Sequence, residues 1–450
     1  MNNLLDLNLT ELTQFVENLG EPKFRAKQLY NAMLNGKNFN DKTVLPNAFL
    51  EKLKDNGNIM QPVKIFKTFK SKDKTIKFLY KLTDDNLLEG VLMQHSYGKT
   101  LCVSTQVGCK MNCAFCASGL NFVRNLTAGE ILGQIVAVNT FIGNGVADRG
   151  ITNIVLMGSG EPLDNFDNVV KFLKLVTSDE GFNFSVRNIT LSTCGIPSKI
   201  EKLADIGLNI NLAISLHAPN NEIRKTIMPV AKSFPIESVI EAANHYYTIT
   251  NRKIYIEYTL IDGVNSSVNH ARELGELLSE LNCRVNLITL NDVKERGLKG
   301  VTETKTNQFL KELLKCGISA TIRRSLGDDV DGACGQLRNK EIAGEKSAFE
   351  KPVSAVKSAV KKETNKPANK VNKEFSKPDK HGKTDKFDKN NKFGKPDKFG
   401  KENKFAKGSK NVSGAKKPSQ KNNGRNSFAK NSKPSSYGKN NKRVGKGNYR

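Results

Sequence analysis

Apolar residues recur at helical spacing from Asn8 to Val16 and again from Lys23 to Leu34, with Gly20-Glu21-Pro22 between the two runs. Two amphipathic runs split by turn-forming residues predict a helix–turn–helix pair. From Lys64 to Leu82 basic and apolar residues alternate, as in an exposed strand or hairpin. These segments place a small N-terminal domain over residues 1–90. From Thr100 the pattern becomes strand followed by helix, six times over. Leu101–Val107 precedes the helical Thr127–Phe141, Ile151–Met157 precedes Asn168–Val176, and Asn188–Leu191 precedes Ser198–Ile206. Asn209–Leu216 then precedes Ile236–Tyr247, Lys253–Ile261 precedes Val268–Leu281, and Arg284–Leu290 precedes Thr304–Leu314. Such alternation predicts an α/β fold with a parallel sheet and helices outside it. Six units fall short of the eight of a closed barrel, so a partial barrel and a doubly wound open sheet both fit. A last strand, Ser319–Arg323, leads to Gly332-Ala333-Cys334-Gly335-Gln336-Leu337. The second domain spans residues 91–345.

Charge changes the picture at the C-terminal end. The chain has 450 residues and a net charge of +26, and Lys351 to Arg450 hold 30 of the 71 basic residues but 7 of the 45 acidic ones. The part before this segment is therefore close to neutral. Residues 346–450 are rich in Lys, Asn, Ser, Gly and Pro and lack core-forming residues, which predicts a disordered tail. Lys386-Phe387, Lys392-Phe393, Lys398-Phe399 and Lys404-Phe405 recur every six residues there. Lysine releases counterions from a phosphate backbone and an aromatic ring stacks on an unpaired base, so the tail reads as an RNA-binding or a solubilising segment. The basic residues of the N-terminal helix pair leave two readings, mutual packing or contact with nucleic acid.

No run of about 18 apolar residues is present, and the N-terminus lacks the basic start and apolar stretch of a signal peptide. These features predict a cytoplasmic protein with no membrane partner. Eight cysteines in such a chain favour metal binding or redox chemistry over a disulfide framework.

Cys109, Cys113 and Cys116 form a Cys-x-x-x-Cys-x-x-Cys run in a loop after the first strand, with Gly108, Asn112 and Gly119 suited to turns. Thiolates are soft ligands that select iron–sulfur clusters or zinc. Three close cysteines without a fourth nearby point to a 4Fe–4S cluster with one iron open to a small molecule. A zinc site completed by Cys102 is the alternative, in a zinc-stabilised RNA-binding protein without catalysis.

The run resembles the radical S-adenosylmethionine superfamily. Gly158-Ser159-Gly160-Glu161-Pro162-Leu163, Leu191-Ser192-Thr193-Cys194-Gly195, Ile214-Ser215-Leu216-His217-Ala218-Pro219 and Gly332-Ala333-Cys334-Gly335-Gln336-Leu337 narrow the resemblance to the RlmN/Cfr group of RNA adenine methyltransferases. It extends over about residues 1–340. Ser159 stands where the group usually has Met, and the loop after Cys116 is one residue shorter than usual. The resemblance implies a partial (βα)6 barrel behind a small helical domain. It implies one 4Fe–4S cluster and two molecules of S-adenosylmethionine per turnover, bound against Gly160, Glu161, Ser192, Ser215, Leu216, His217 and Asn291. It implies that Cys334 carries a methyl group, that Cys102 closes a transient disulfide with Cys334 to release the product, and that Glu89 accepts a proton. The implied activity is methylation of adenine C2 in 23S ribosomal RNA and in transfer RNAs beside the anticodon, with C8 methylation of the Cfr type as the alternative. A flavodoxin or ferredoxin would supply electrons to a monomer. Cys194, Cys283 and Cys316 are expected to be small buried residues without chemistry.

Overall fold

A computed structural model of the chain describes residues 2–291, 293 and 295–337. The basic tail and its Lys-Phe repeat lie outside them. The chain starts with β1 (Asn2–Asn3), passes through α1 (Leu9–Asn18), α2 (Phe24–Leu34) and α3 (Asn47–Asp55), and returns in β2 (Asn58–Ile59), which pairs in parallel with β1. Asn8 caps α1: its side-chain oxygen accepts from the Glu11 N–H while the Glu11 carboxylate accepts from the Asn8 N–H. That reciprocal arrangement satisfies two backbone donors that a helix start leaves open. The helices α1 and α2 are the pair expected from the apolar spacing. The third helix buries Phe49, Leu50 and Leu53 in a run too short to carry a clear period.

Three antiparallel strands follow, β3 (Val63–Lys70), β4 (Ile76–Leu82) and β5 (Leu87–His95), and the last turns back into β6 (Gly98–Cys102). A separate ribbon joins β7 (Gln106–Gly108) to β8 (Phe122–Asn125). Then come α4 (Ala128–Phe141), β9 (Asn153–Leu156), α5 (Phe166–Thr177), β10 (Ile189–Thr193), α6 (Pro197–Asp205) and β11 (Asn211–Ser215). The chain continues through α7 (Asn221–Ile227), α8 (Ile236–Thr250), β12 (Ile254–Leu260), α9 (Val268–Leu277), β13 (Cys283–Thr289), α10 (Glu303–Lys315) and β14 (Ala320–Arg323).

Among the described residues, ten strands form one sheet in the order β14-β13-β12-β11-β10-β9-β6-β5-β4-β3. From β6 to β14 neighbouring strands are parallel. Each lies beside its predecessor in the chain, so the order never reverses. A doubly wound sheet requires such a reversal. The fold is therefore the singly wound partial (βα)6 barrel, and the open-sheet alternative is set aside.

Two boundaries differ from the sequence pattern. The strand expected over Leu101–Val107 breaks after Cys102. Val103 N–H donates to the Val155 carbonyl, and the Thr105 and Gln106 N–H groups both donate to the Ser159 carbonyl. Backbone partners outside the ladder draw this segment away, and hydrophobic patterning does not register them. The domain boundary expected at residue 90 falls inside β5, whose Val91–His95 pair with β6. The β3–β5 strands thus extend the barrel's own sheet.

Under that extension lies a buried ion pair. Lys77 Nζ stands 2.8 Å from Glu89 Oε1, with both side chains 6% exposed, and donates to the Asp331 carbonyl at 3.2 Å. Removing one partner of such a pair strands the other's charge. Lys77→Met is expected to lose about 3 kcal/mol of stability, read as a fall in the urea midpoint. An unchanged midpoint would show that the pair does not hold β4 to β5.

Candidate active site

The loops at the C-terminal ends of the parallel strands enclose two neighbouring cavities. The inner one, about 160 Å³, is lined by Cys109, Cys113, Cys116, Gly160, Glu161, Ser192, Ser215, His217 and Asn291. The outer one, about 610 Å³, holds Cys102 and Cys334. Cys116, Met157, Asn291, Arg323 and Cys334 face both.

The cysteine loop is fixed from several sides. Gly108 has φ +78°, and a Cβ there would come within 1.9 Å of the Asn121 carbonyl oxygen. That close approach lets Cys109 N–H donate to the same carbonyl at 2.9 Å. Ala114 N–H donates to the Ile227 carbonyl, and Ala117 N–H to that of Gly335. Arg296 donates to the Cys116 carbonyl at 3.1 Å and to Asn112 Oδ1 at 2.8 Å. Ser159, the departure from the family pattern, takes part as well. Its N–H donates to Ser104 Oγ at 2.8 Å, and its hydroxyl lies 3.3 Å from that of Ser118, which donates to the Leu337 carbonyl. One serine thus links the strand ends, the cysteine loop and the Cys334 loop.

The donor set fits a 4Fe–4S cluster. Three soft thiols line one wall, and a four-iron cube takes each thiolate on a different iron. Among the described residues no three His, Cys, Asp or Glu side chains converge on a single-ion position, as a zinc site needs. Burial pushes the Cys109 thiol up to about 12 and raises the Cys113 thiol well above its ordinary value, with Cys116 and Cys109 adding to the rise. Thiols so placed release their protons only to a metal, so cluster assembly is coupled to proton release.

Glu161 is buried with both oxygens engaged: Oε1 accepts from Leu163 N–H at 3.0 Å and Oε2 from Cys194 N–H at 2.7 Å. The Thr193 and Cys194 side chains also hydrogen-bond to this carboxylate, which fixes it in place on the cavity wall. Ser192 and Ser215 hydroxyls are 3.2 Å apart at the ends of β10 and β11. His217 has φ +57°, and its Nδ1 accepts from Thr259 N–H at 3.0 Å, which leaves the proton on Nε2. Burial pushes this imidazole down to about 3, so it is neutral at physiological pH. Leu216 does not line the cavity. Its side chain is fully buried in the main core, and only its backbone stands between Ser215 and His217. Gly160 has φ +109°, and a Cβ there would lie 2.7 Å from Gln106 N and Cβ. Gly160→Ala is accordingly expected to lower stability by about 1–3 kcal/mol and to weaken S-adenosylmethionine binding. Calorimetry of each would check this, and wild-type values for both would show that the close approach is not needed.

Cys102 is buried and Cys334 exposed, both as free thiols. Burial pushes Cys102 up to about 12, with Cys334 adding to the rise and Arg323 opposing it. Asn291 joins the two halves of the site: its Nδ2 donates to the Cys334 carbonyl at 2.9 Å and its Oδ1 accepts from Ser325 Oγ at 2.7 Å. Glu89 does not face either cavity. It pairs with Lys77 below the loop that carries Cys334, and its backbone carbonyl accepts from Ser104 Oγ. Cys194 and Cys283 are buried as expected, but Cys316 is exposed.

Sequence reasoning missed Arg323, Glu257 and Arg296. Arg323 lies 3.3 Å from Glu257 Oε2, and Cys334, Glu257 and Cys102 all favour its charged form. The available signal was a carboxylate at the centre of the apolar strand Ile254–Leu260 and an arginine closing the last strand.

Comparison with known proteins agrees with this geometry. The Radical SAM superfamily matches residues 103–274, and the Ribosomal RNA large subunit methyltransferase N-terminal domain matches residues 2–59. The chain is 46% identical over 345 residues to a probable dual-specificity RNA methyltransferase RlmN of Clostridium novyi, covering 76% of this chain and 99% of that relative. It is equally similar to the corresponding protein of Lachnospira eligens, covering 97% of it. The crystal structure of a radical SAM methyltransferase from Sphaerobacter thermophilus superposes with a TM-score of 0.72 at 38% identity, over 75% of this chain and 99% of that one. These similarities set aside the non-catalytic zinc protein, and an iron–sulfur cluster and S-adenosylmethionine are the cofactors of the fold. The chain belongs to the RlmN family of radical S-adenosylmethionine methyltransferases.

Proposed function

We propose that the protein methylates C2 of a specific adenine in 23S ribosomal RNA and of the adenine beside the anticodon in transfer RNAs. The observation that carries this reading is the placement of Cys102 and Cys334 in one cavity that opens onto the wall of Cys109, Cys113 and Cys116. An adenine ring carbon such as C2 is not a nucleophile, so a polar methyl transfer does not reach it. When bound, the cluster and S-adenosylmethionine supply a carbon-centred radical able to remove hydrogen from a methyl group.

The chain's own residues do the rest. Cys109, Cys113 and Cys116 hold the cluster. Gly160, Glu161, Ser192, Ser215, the Leu216 backbone, His217 and Asn291 hold S-adenosylmethionine, two molecules being used per turnover. Cys334, exposed and carried on a loop anchored by Asn291, bears the methyl group and bonds to the adenine. Cys102 attacks Cys334 sulfur, forms the disulfide and frees the product. Glu89 takes a proton from the adduct, which requires a path from its buried position to the outer cavity. The helical N-terminal segment that carries α1–α3 and the basic tail contact RNA. Among the described residues no helix is long and apolar enough to cross a membrane. We place the protein in the cytoplasm, as a monomer that receives electrons from a flavodoxin or ferredoxin. The dual-specificity names of its relatives support the C2 reading over C8 methylation.

Mass spectrometry of nucleosides tests this directly. Anaerobically prepared protein, S-adenosylmethionine with a labelled methyl group, a reductant and RNA should yield 2-methyladenosine. A product of 8-methyladenosine would overturn the regiochemistry, and unmodified RNA the reading as a whole.

A further inference from the structure

The turn between β5 and β6 has a structure that packing does not explain. His95 and Tyr97 stack with ring centroids 4.8 Å apart and planes 6° from parallel. Tyr97 is 68% exposed, among the most exposed large apolar side chains described. A hydrophobic core gains nothing from a ring so placed. Both rings line the outer cavity, the one that holds Cys102 and Cys334. Its volume, about 610 Å³, lies within the range of pockets that engulf a small organic ligand. Arg324 lines the same cavity and is exposed, with no ion pair among the described residues. Burial and then the Arg323 charge hold His95 below its ordinary value.

A flat aromatic pair and an exposed guanidinium that line one cavity suit single-stranded RNA. Any base can stack on the rings, and the guanidinium can take a phosphate. The reacting thiols and the two rings line the same cavity. The base that reaches Cys334 must leave its own stack, so a neighbouring base has to be held while it does so.

We infer that His95 and Tyr97 form a stacking platform for a nucleobase flanking the target adenine, with Arg324 holding the adjoining phosphate. This rests on the RNA-methylation reading above and adds the site that grips the RNA strand. The His95-Ser96-Tyr97-Gly98 turn is thereby a determinant of substrate affinity outside the chemistry.

The chain has no tryptophan, so Tyr97→Trp installs a single indole fluorophore. In the full-length, cluster-loaded variant, its emission should be quenched by the RNA that the wild-type protein methylates, and not by S-adenosylmethionine alone. Tyr97→Ala should raise KM for that RNA about tenfold, the loss of one base–aromatic stack, with a much smaller change in kcat. Tyr97→Phe should restore KM, because stacking needs the ring and not the hydroxyl. Iron content of each variant separates this effect from misfolding. If the wild-type protein methylates RNA but Tyr97→Ala keeps its KM, or the indole is not quenched, the platform is overturned and the methylation reading survives. If the wild-type protein leaves RNA unmodified, the methylation reading itself fails.

Discussion

Cys102→Ala is expected to accumulate a covalent protein–RNA species that Cys334→Ala cannot form. With Cys334 present, the methyl group can be carried, activated and joined to adenine. Without Cys102, the other cysteine lining the outer cavity beside Cys334 is Cys116, which is committed to the cluster, so no free thiol attacks Cys334 sulfur to release the product. With Cys334 removed there is no sulfur to carry the methyl, so neither product nor adduct arises. The two side chains differ in setting as the roles require. Cys334 is exposed to an incoming base, whereas Cys102 is buried beneath it among Val91 and Leu337. Denaturing gels of ribonuclease-treated protein from expressing cells would show the adduct as a band of reduced mobility. An adduct in Cys334→Ala, or none in a cluster-loaded Cys102→Ala, would overturn the assignment.

Replacing any one of Cys109, Cys113 or Cys116 by Ala should abolish both iron binding and turnover. Each would hold one iron of the cube, and the remaining cysteines lie outside the loop that carries these three. Cys194 also lines the inner cavity, but it lies just after β10, outside the loop that carries the other three, and its thiol hydrogen-bonds to the Glu161 carboxylate. Anaerobically purified wild-type protein should be brown and hold about four irons per chain. Each variant should be colourless yet keep its far-ultraviolet dichroism, because the loop is also held by Arg296 and by backbone bonds to Ile227 and Gly335. Full iron content in one of the three would remove that cysteine from the ligand set.

Much of this was legible in the residues. The period-2 and period-3.6 alternation from Thr100 onward predicted the parallel strands and a helix between each and the next, but not the short α7 that comes between β11 and α8. The order of short motifs carried the family, because each motif ends a strand and so falls at one rim of the barrel. What stayed hidden depends on contacts between segments distant in the chain. The break after Cys102 is caused by Ser159, more than fifty residues away. Leu216 sits between two cavity residues but points into the core, as the middle residue of three must when its neighbours face a ligand. Glu89 entered as a proton acceptor through the resemblance alone, and its partner Lys77 became visible only when β4 and β5 were paired. Arg323 could be read as the end of a strand, but the Glu257 and Cys334 beside it could not.

The pairing of β5 with β6 bears on how the enzyme could be divided. A chain begun after residue 90 would remove β3, β4 and the first half of β5, and leave the rest of β5 without its β4 partner. The backbone N–H and C=O groups freed in this way would be a template for strands of other molecules. Such a fragment would be expected to precipitate even with its cluster ligands, S-adenosylmethionine residues and both reacting cysteines intact. A cut near residue 60, before β3, spares the sheet entirely and removes only α1–α3 and the short β1–β2 pair. The barrel and its antiparallel flank therefore stand or fall as one sheet, and the helical module ahead of them is joined to it through the shared core and through Asp6, which accepts from Gly129 N–H on α4.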